Sequence, residues 1–288
     1  MSRICFIADF FTKHILGGGE LNNEEFIKIL ISKGHPVEKI QSHITSPDFI
    51  EQNKTSKFII ANFVNLSQPC IKALLDTDYA IYEHDHKYLK TRDPSNYKNF
   101  KAPKEDIINL EFYQGAKAIL CQSQFHLNIV KKNTDLSNLV NLSGNIWPIS
   151  SLEIMEEISK KPKQEKSSIM NSPIYHKNTR EAIEYCNIKE MEYVLVSNNI
   201  YNEFLGALGA NERFVFLPKT PETLSRVVVE ARMMGMSLIT NQMVGATQEP
   251  WFKLKGKELI NIVYEMRETI PQKVLKALSI NENPPNTK

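Results

Sequence analysis

Short apolar runs alternate with segments of helical length, and the alternation restarts in the second half of the chain. In the first half the runs Ile4–Ala8, 58–63, 79–82 and Ala118–Cys121 have the length and apolar content of strands buried on both faces. Between the first two, residues 20–33 place their apolar side chains in helical register. This pattern predicts a doubly wound α/β domain around a parallel sheet.

The second half repeats the pattern. We expect strands at Tyr193–Val196, 214–217 and Ser237–Thr240, and helices at 179–186, 201–208, 222–234 and 258–278. Between the halves, residues 151–166 are rich in Lys, Glu and Ser and contain Pro162, which favours a short helix followed by an exposed linker. The predicted fold class is therefore α/β, with two Rossmann-like doubly wound domains facing a cleft. The expected boundaries are 1–150 for the first domain, 151–166 for the linker, 167–265 for the second domain, and 266–288 for a C-terminal helix and tail that frays over 281–288.

Composition narrows the class of protein. The chain has 288 residues, of which 42% are hydrophobic and 24% charged, as in a soluble globular protein. No run of about twenty apolar residues occurs, so we expect no transmembrane segment. The N-terminus has a short apolar run and then Asp9, which favours a buried strand over a signal peptide. Cys5, Cys70, Cys121 and Cys186 form no CxxC pair, which predicts buried free thiols and a cytoplasmic location.

Two carboxylates lie eight residues apart in the second half. We expect Glu222 at the start of a helix and Glu230 about two turns on, so that both face the same end of the sheet. Such a pair suits binding the hydroxyls of a sugar and of a ribose together. The simpler alternative is a surface pair that interacts with the helix dipole. Against that alternative, Glu230 is flanked by Val227, Val228, Val229 and Ala231, where a charge needs a partner.

A glycine loop follows the first strand. Gly17, Gly18 and Gly19 precede a helix, where bare backbone allows close approach of a phosphate or sugar and helix amides favour anions. The alternative is a plain strand–helix loop that needs positive φ. The spacing is not GxGxxG, which disfavours a nicotinamide site.

A histidine- and lysine-rich segment follows the strand at 79–82. His84 and His86 alternate in side and lack helical i, i+4 spacing, so we expect a polar cluster rather than a metal site. The basic residues after it, interleaved with aromatic ones, are either a solvated loop or a surface for an anionic acceptor; they are Lys87, Lys90, Arg92, Lys98, Lys101 and Lys104. Asp76, Thr77 and Asp78 precede a strand instead of following one, which favours a turn over a metal-binding motif.

The order of these features resembles the GT-B retaining glycosyltransferases, most nearly the GT4-like group. The resemblance rests on the glycine loop, on His84 after its strand, on Lys177 just before a helix, and on the Glu222-x7-Glu230 element. It implies a nucleoside-diphosphate sugar as donor, with Gly17–Gly19 near its phosphates and sugar. It further implies that His84 lies near the sugar and that Lys177 meets the diphosphate. Glu222 would then bind the sugar hydroxyls and Glu230 the ribose.

The chain also departs from this family pattern. Asn171-Ser172 replaces a Gly-Arg pair, so one cation for the diphosphate is missing, and Arg226 is the candidate replacement. Residues 197–199 and 223–225 replace glycine-containing motifs of the family. The chain is short, and its Asn-, Lys- and Ile-rich composition resembles the small glycosyltransferases of tailed phages, some of which modify hydroxymethylated DNA bases.

The resemblance implies a metal-independent, retaining hexosyl- or pentosyltransferase with no cofactor beyond the donor. The acceptor is either a hydroxymethylated base in DNA, met by Lys87, Lys90, Lys98 and Lys101, or a glycan or glycolipid. Two alternatives remain open: a nucleotide-sugar or glycan-binding module without turnover, and a nucleotide-sugar epimerase on the same fold.

Overall fold

A computed structural model describes residues 3–280. They form two compact units, the first from residues 3–122, 127–146 and 266–280 and the second from residues 123–126 and 147–265. Each unit contains a parallel sheet with helices, which confirms the predicted fold class of two α/β domains. The frayed end expected at 281–288 lies outside the described residues.

The first unit is built on six parallel strands in the order β2-β1-β3-β4-β5-β6. The strands predicted at Ile4–Ala8 and Ala118–Cys121 have these bounds, and the others differ by one to three residues at an end. All residues of β1 are buried, as a strand covered on both faces requires. The six strands are β1 (Ile4–Ala8), β2 (Val37–Gln41), β3 (Lys57–Ile60), β4 (Asp78–Tyr82), β5 (Ala118–Cys121) and β6 (Leu139–Asn141).

The helices that follow these strands begin at polar caps or glycine. Ser46 accepts a hydrogen bond from the amide of Phe49, and Ser67 accepts one from the amide of Cys70, so each serine caps a short helix. The helices are α1 (Gly18–Ser32), α2 (Pro47–Gln52), α3 (Gln68–Leu74), α4 (Leu110–Gly115) and α5 (Gln124–Asn133). The four cysteines are buried and free, as predicted.

The second unit has four parallel strands in the order β10-β9-β7-β8. The strands are β7 (Gln164–Met170), β8 (Tyr193–Val196), β9 (Asn211–Phe216) and β10 (Ser237–Thr240). The helices are α6 (Ile149–Lys160), α7 (Thr179–Ile188), α8 (Tyr201–Gly209), α9 (Arg226–Met233) and α10 (Gly256–Ala277), the last of which continues into residues of the first unit. Among residues 3–280, no helix is long and apolar enough to cross a bilayer.

Residues 151–166 contain the expected short helix, but the part expected to be a linker ends in a strand. Residues 151–160 belong to α6, and residues 164–166 open β7, which lies inside the sheet. Residues 161–166 are exposed or half-buried, as expected, but this strand continues into the buried Ser167 and Ser168. The Ser168 hydroxyl donates to the carbonyl of Leu208 at 2.7 Å, and Ser167 is also fully buried. A buried hydroxyl with a backbone partner is tolerated inside a sheet.

The helix expected at 222–234 begins later, at Arg226. Ser225 has φ 74°, a left-handed conformation that separates the helix from the residues before it. Glu222 therefore lies in the loop between β9 and α9, not at the start of the helix. Its backbone forms an isolated parallel bridge with Val244.

Candidate functional site

Two of the predicted residues meet beyond the carboxyl ends of β7 and β9. Lys177 follows β7, Glu222 follows β9, and Lys177 Nζ lies 2.7 Å from Glu222 Oε1. The Lys177 side chain is 24% exposed and the Glu222 side chain 13% exposed, so the pair is sheltered yet reachable from solvent. The chain leaves β7 for β8 on one side of the sheet and leaves β9 for β10 on the other. The pair therefore lies at the topological switch point of this sheet, where α/β proteins bind ligands.

Backbone hydrogen bonds hold Glu222 in place. Its amide donates to the carbonyl of Met243 at 2.7 Å, and its carbonyl accepts from the amide of Gly245 at 2.9 Å. A side chain at Gly245 would overlap the backbone carbonyl of Thr223. The loop after β10 thus fixes the loop that carries Glu222, and it needs glycine to approach so closely.

Lys177 is positioned by the turn that opens α7. The next residue, Asn178, has φ 58° and donates from its side chain to the carbonyl of Leu217 at 2.8 Å. Thr179, the first residue of α7, donates its hydroxyl to the carbonyl of Met170 at the end of β7. These two bonds fix the turn from which Lys177 projects, two residues before the first residue of α7, whose N-terminal amides also favour an anion.

Glu230 is in a different environment from Glu222. It lies within α9, is 3% exposed, and accepts hydrogen bonds at Oε1 from Trp147 Nε1 at 2.8 Å and from the Tyr201 hydroxyl at 2.7 Å. Arg226 stands one helical turn earlier, with its Nε 3.8 Å from the same oxygen and its guanidinium 4.2 Å from the centre of the Trp147 ring. The charge that the sequence predicts within an apolar stretch therefore has three partners in the second unit.

Tyr201 and Trp147 were not among the sequence candidates. Burial, reinforced by the neighbouring Glu230, raises the pKa of Tyr201, which therefore stays a hydrogen-bond donor. The apolar neighbours of Glu230 signalled that it needs a partner. They could not identify residues that lie 83 and 29 positions earlier in the chain.

In the first unit, His84 contacts the helix that follows the glycine loop. Its Nε2 lies 2.7 Å from Asn23 Oδ1, and the side-chain amide nitrogen of Gln122 lies 2.5 Å from its Nδ1. This arrangement is satisfied by the neutral ring with its proton on Nε2. The ring also stacks on Tyr82, and a Cβ at Gly19 would lie 3.5 Å from it. The structure thus brings the glycine loop and His84 together.

The glycine loop does not use left-handed backbone. Gly17 is the extended N-cap of α1 with φ −99°, and Gly18 and Gly19 begin the helix. Positive φ occurs at other glycines, so the alternative of a loop that needs positive φ is wrong. The glycines place no side chains of their own on the first turn, but the Glu20 carboxylate folds back to the space beside Gly17. An anion or sugar at that helix end would have to displace this carboxylate.

Lys87 is buried in a cluster of charges. Its side chain is 2% exposed, and its ammonium lies 2.6 Å from Glu83 Oε1 and 2.5 Å from Asp85 Oδ1. Burial alone would lower the pKa of Lys87, but the two carboxylates outweigh burial and raise it. Burial likewise opposes ionisation of Asp85, yet Lys87 and then Arg92 keep the pKa of that carboxyl below its usual value. The charge of Lys87 is therefore matched within the fold.

The other basic residues are more accessible. Lys90 is 54% exposed and pairs with Asp106 at 3.3 Å, while Lys98 and Lys101 are exposed on the following turns. His86 is 2% exposed, with Nδ1 3.0 Å from the hydroxyl of Tyr88, and it faces the core. The functional roles of all these residues remain predictions.

Comparison with known proteins finds similarity in structure only. No family model and no curated protein matches the chain. The Anabaena protein HepE in complex with UDP and glucose has a TM-score of 0.55 and 11% identity, over 96% of this chain and 95% of that one. An alpha-glucosyltransferase with UDP and a 13-mer DNA containing a central A:G mismatch has a TM-score of 0.52 and 12% identity, over 98% and 95%.

A third solved structure is similar to the same extent. The UDP-GlcNAc 2-epimerase of Methanocaldococcus jannaschii, in complex with UDP-GlcNAc and UDP, has a TM-score of 0.51 and 11% identity, over 96% of this chain and 99% of that one. At such identities the likeness shows the fold. The structural similarity supports the expected GT-B fold class, and it extends over nearly the whole chain.

Proposed function

We propose that this protein is a glycosyltransferase that moves a hexosyl or pentosyl group from a nucleoside-diphosphate sugar to an acceptor hydroxyl. The observation that carries the proposal is the Lys177–Glu222 pair at the switch point of the second sheet. A cation beside a helix N-terminus suits a diphosphate, and an adjacent carboxylate suits sugar hydroxyls. The GT-B glycosyltransferase neighbours share the fold that presents this pair.

The chemistry follows from where charge develops. Breaking the anomeric carbon–oxygen bond leaves oxocarbenium character on the sugar and negative charge on the departing diphosphate. Lys177 and the first amides of α7 would stabilise that negative charge, so the proposed reaction needs no metal ion. Glu222 would then accept hydrogen bonds from the donor sugar, in competition with its bond to Lys177. We expect retention of the anomeric configuration, with the leaving phosphate taking the acceptor proton.

We assign the nucleoside to Glu230. Its Oε1 is occupied by Trp147 and Tyr201, so Oε2 is the oxygen that we propose accepts from the ribose hydroxyls. For the first unit, we propose that the helix start at Gly17–Gly19 and the ring of His84 contribute to binding the donor phosphates and sugar, with the Glu20 carboxylate displaced from the N-cap. The acceptor is proposed to be a hydroxymethylated DNA base or a glycan or glycolipid.

One observation favours a second candidate, a nucleotide-sugar-binding module without turnover. Arg226 is the sequence candidate for the missing diphosphate cation, but it is 8% exposed, stacked on Trp147 and beside Glu230. If Arg226 keeps these contacts, the lysines in the loops that follow β7 and β9 are Lys177 and Lys219. Lys219 packs on the ring of Tyr175, which leaves Lys177 for the diphosphate. A site with one cation can bind a donor and still fail to activate it.

Mass spectrometry of reaction products tests these proposals. Several nucleotide sugars would be offered with hydroxymethylated DNA, with simple glycans and with no acceptor. An acceptor whose mass increases by one sugar residue supports transfer, provided that the Glu222→Gln variant gives no such increase. Donor binding by calorimetry without any product supports the binding module. An isomerised donor in the sample without acceptor would identify an epimerase and overturn the transferase.

A further inference from the structure

The strand β8 is one edge of the second sheet, and among the described residues no strand lies on its outer side. The carbonyls of Glu192 and Val196 accept hydrogen bonds from amides in and just after β7, both at 2.8 Å. Because backbone polar groups alternate in direction along a strand, those of Tyr193 and Leu195 point away from β7. The outer side of β8 therefore presents a row of backbone donors and acceptors to solvent.

Exposed apolar side chains are concentrated along this edge. Val194 is 41% exposed and Leu195 is 44% exposed, and because they are consecutive they lie on opposite faces of the sheet. Ile188, which ends α7 before the strand, is 78% exposed, and Ile200, which precedes α8 after it, is 57% exposed. Single exposed apolar residues are ordinary, but a group gathered along one edge is typical of an interaction surface.

The other edges of the two sheets are charged or covered. The edge strand β2 contains Glu38 and Lys39, and at β6 the ammonium of Lys273 occupies the carbonyl of Asn141 at 3.1 Å. In β10 both apolar residues are half-buried. Residues 193–196 contain neither a charge nor a proline, so β8 lacks two of the devices that keep strand edges apart.

We propose that β8 pairs with β8 of a second copy of the chain, in antiparallel direction about a two-fold axis at Val194. Tyr193 of each copy would then exchange two backbone hydrogen bonds with Leu195 of the other, which satisfies the outward groups of both strands. Ile188 and Ile200 lie six residues before and six residues after Val194. The two-fold axis therefore brings each exposed isoleucine of one copy to the end of the strand where the other copy exposes its counterpart.

The charges of the edge also fit a second copy. In this register Glu190 stands opposite Asn198 and Glu192 opposite Val196, so no like charges face each other. Pairing with an unrelated strand would leave the equal spacing of the two isoleucines about Val194 unused. Since the contact is one short strand and its flanks, we expect a weak dimer that dissociates on dilution. The inference does not depend on the proposed function.

Analytical ultracentrifugation of the full chain tests the proposal. At about 100 μM the parent protein should sediment with the mass of a dimer and should dissociate on dilution. Val194→Lys places two ammonium groups opposite each other at the axis, so it should raise the dissociation constant of the dimer about 100-fold. The matched control is Ile44→Lys, because Ile44 is 61% exposed but lies in the first unit, and this variant should dimerise like the parent.

A cysteine at the axis tests the register without adding charge. At a non-hydrogen-bonded position of an antiparallel pair the two Cα atoms lie about 4.5 Å apart, a distance that a disulfide can bridge. Val194→Cys should therefore form a covalent dimer under mild oxidation, whereas Leu195→Cys should not, because Leu195 faces Tyr193 of the other copy. The four native thiols are buried and do not compete.

The outcomes separate the alternatives. A parent protein that stays monomeric at every concentration would overturn the proposal. So would a dimer that dissociates equally in Ile44→Lys, or one that Val194→Cys does not cross-link in preference to Leu195→Cys. If Val194→Lys fails to fold, the cysteine variants decide the question. Loss of donor binding in the parent would count against the proposed function and leave the dimer intact.

Discussion

Lys177 and Glu222 are 45 residues apart in the chain, and their charged groups meet at 2.7 Å beyond two neighbouring strands of the second sheet. The bond joins the loop after β7 to the loop after β9, which is where the connections of a doubly wound sheet diverge. In the absence of a ligand, each charge satisfies the other. A diphosphate would compete for the lysine and a sugar for the carboxylate, so the pair is expected to open when a donor binds.

Replacing Lys177 by methionine should lower kcat/KM for the donor about 100-fold, because a positioned cation for the departing diphosphate is lost. The measurement is initial rate against donor concentration. The control is Lys219→Met, since Lys219 belongs to the same group of loops but packs on the exposed ring of Tyr175, 3.9 Å away. Equal losses in the two variants would contradict a specific role for Lys177.

Glu230→Ala should destabilise the protein by about 3 kcal/mol, because it leaves two buried donors and the charge of Arg226 without a carboxylate. Glu230→Gln keeps one acceptor oxygen and should be less destabilising, while still weakening donor binding. Urea unfolding measures the free energy of unfolding, and calorimetry measures donor affinity. Glu153→Ala, at an exposed position in α6, is the control and should change neither. Unchanged donor affinity in a folded Glu230→Gln protein would reject the ribose assignment.

Gly245→Ala should weaken donor binding and destabilise the protein by about 1–3 kcal/mol, since the new methyl group overlaps the backbone of Thr223 and must move the loop that carries Glu222. Gly206→Ala is the matched control. Gly206 lies in α8 with open space around it, so alanine there should stabilise the protein by up to about 1 kcal/mol. Donor titrations measure the loss of affinity, and unfolding curves measure the opposite stability changes of the two variants. Wild-type donor affinity in Gly245→Ala would show that this contact does not position Glu222.

His86 should make the protein less stable in mild acid. Burial lowers the pKa of His86 to about 3, whereas the unfolded chain takes up its proton near pH 6.5. Because the pKa of His86 is lower in the folded than in the unfolded protein, the unfolded chain binds the proton first as the pH falls. The folded state therefore keeps its full stability above pH 6.5 and loses stability below it. Between pH 6.5 and 4.5 the loss should be about 2 kcal/mol.

The measurement is the difference between the parent and His86→Asn in urea unfolding at these two pH values. Stability must be compared between the two proteins because burial also raises the pKa of Glu83 and of Glu20. These two groups make the free energy of unfolding change with pH in the opposite direction, and they do so equally in the parent and the variant. Asparagine can keep the bond to Tyr88 but has no proton to take up. A parent and variant with parallel pH profiles would contradict a neutral buried His86.

Local pattern was enough to find most strands and helices and to single out Glu222 and Glu230, whereas Lys177 came from the family resemblance. Apolar runs identify strands because a strand covered on both faces has no position for solvent-exposed side chains. The pattern failed at β7, where Ser167 and Ser168 are buried with backbone or side-chain partners that only the folded chain supplies. It failed again at the start of α9, because the left-handed Ser225 has no signature in periodicity.

The sequence by itself determined two α/β halves, four buried thiols and a carboxylate at Glu230 that had to find partners. Only the tertiary structure decided what those partners are, that Lys177 and Glu222 form a pair, and that Lys87 is enclosed by Glu83 and Asp85 instead of facing solvent. The physical reason is that burial follows from local apolar spacing, whereas the pairing of charges depends on which loops a sheet brings to the same edge. That choice is set by strand order, which links residues far apart in the chain.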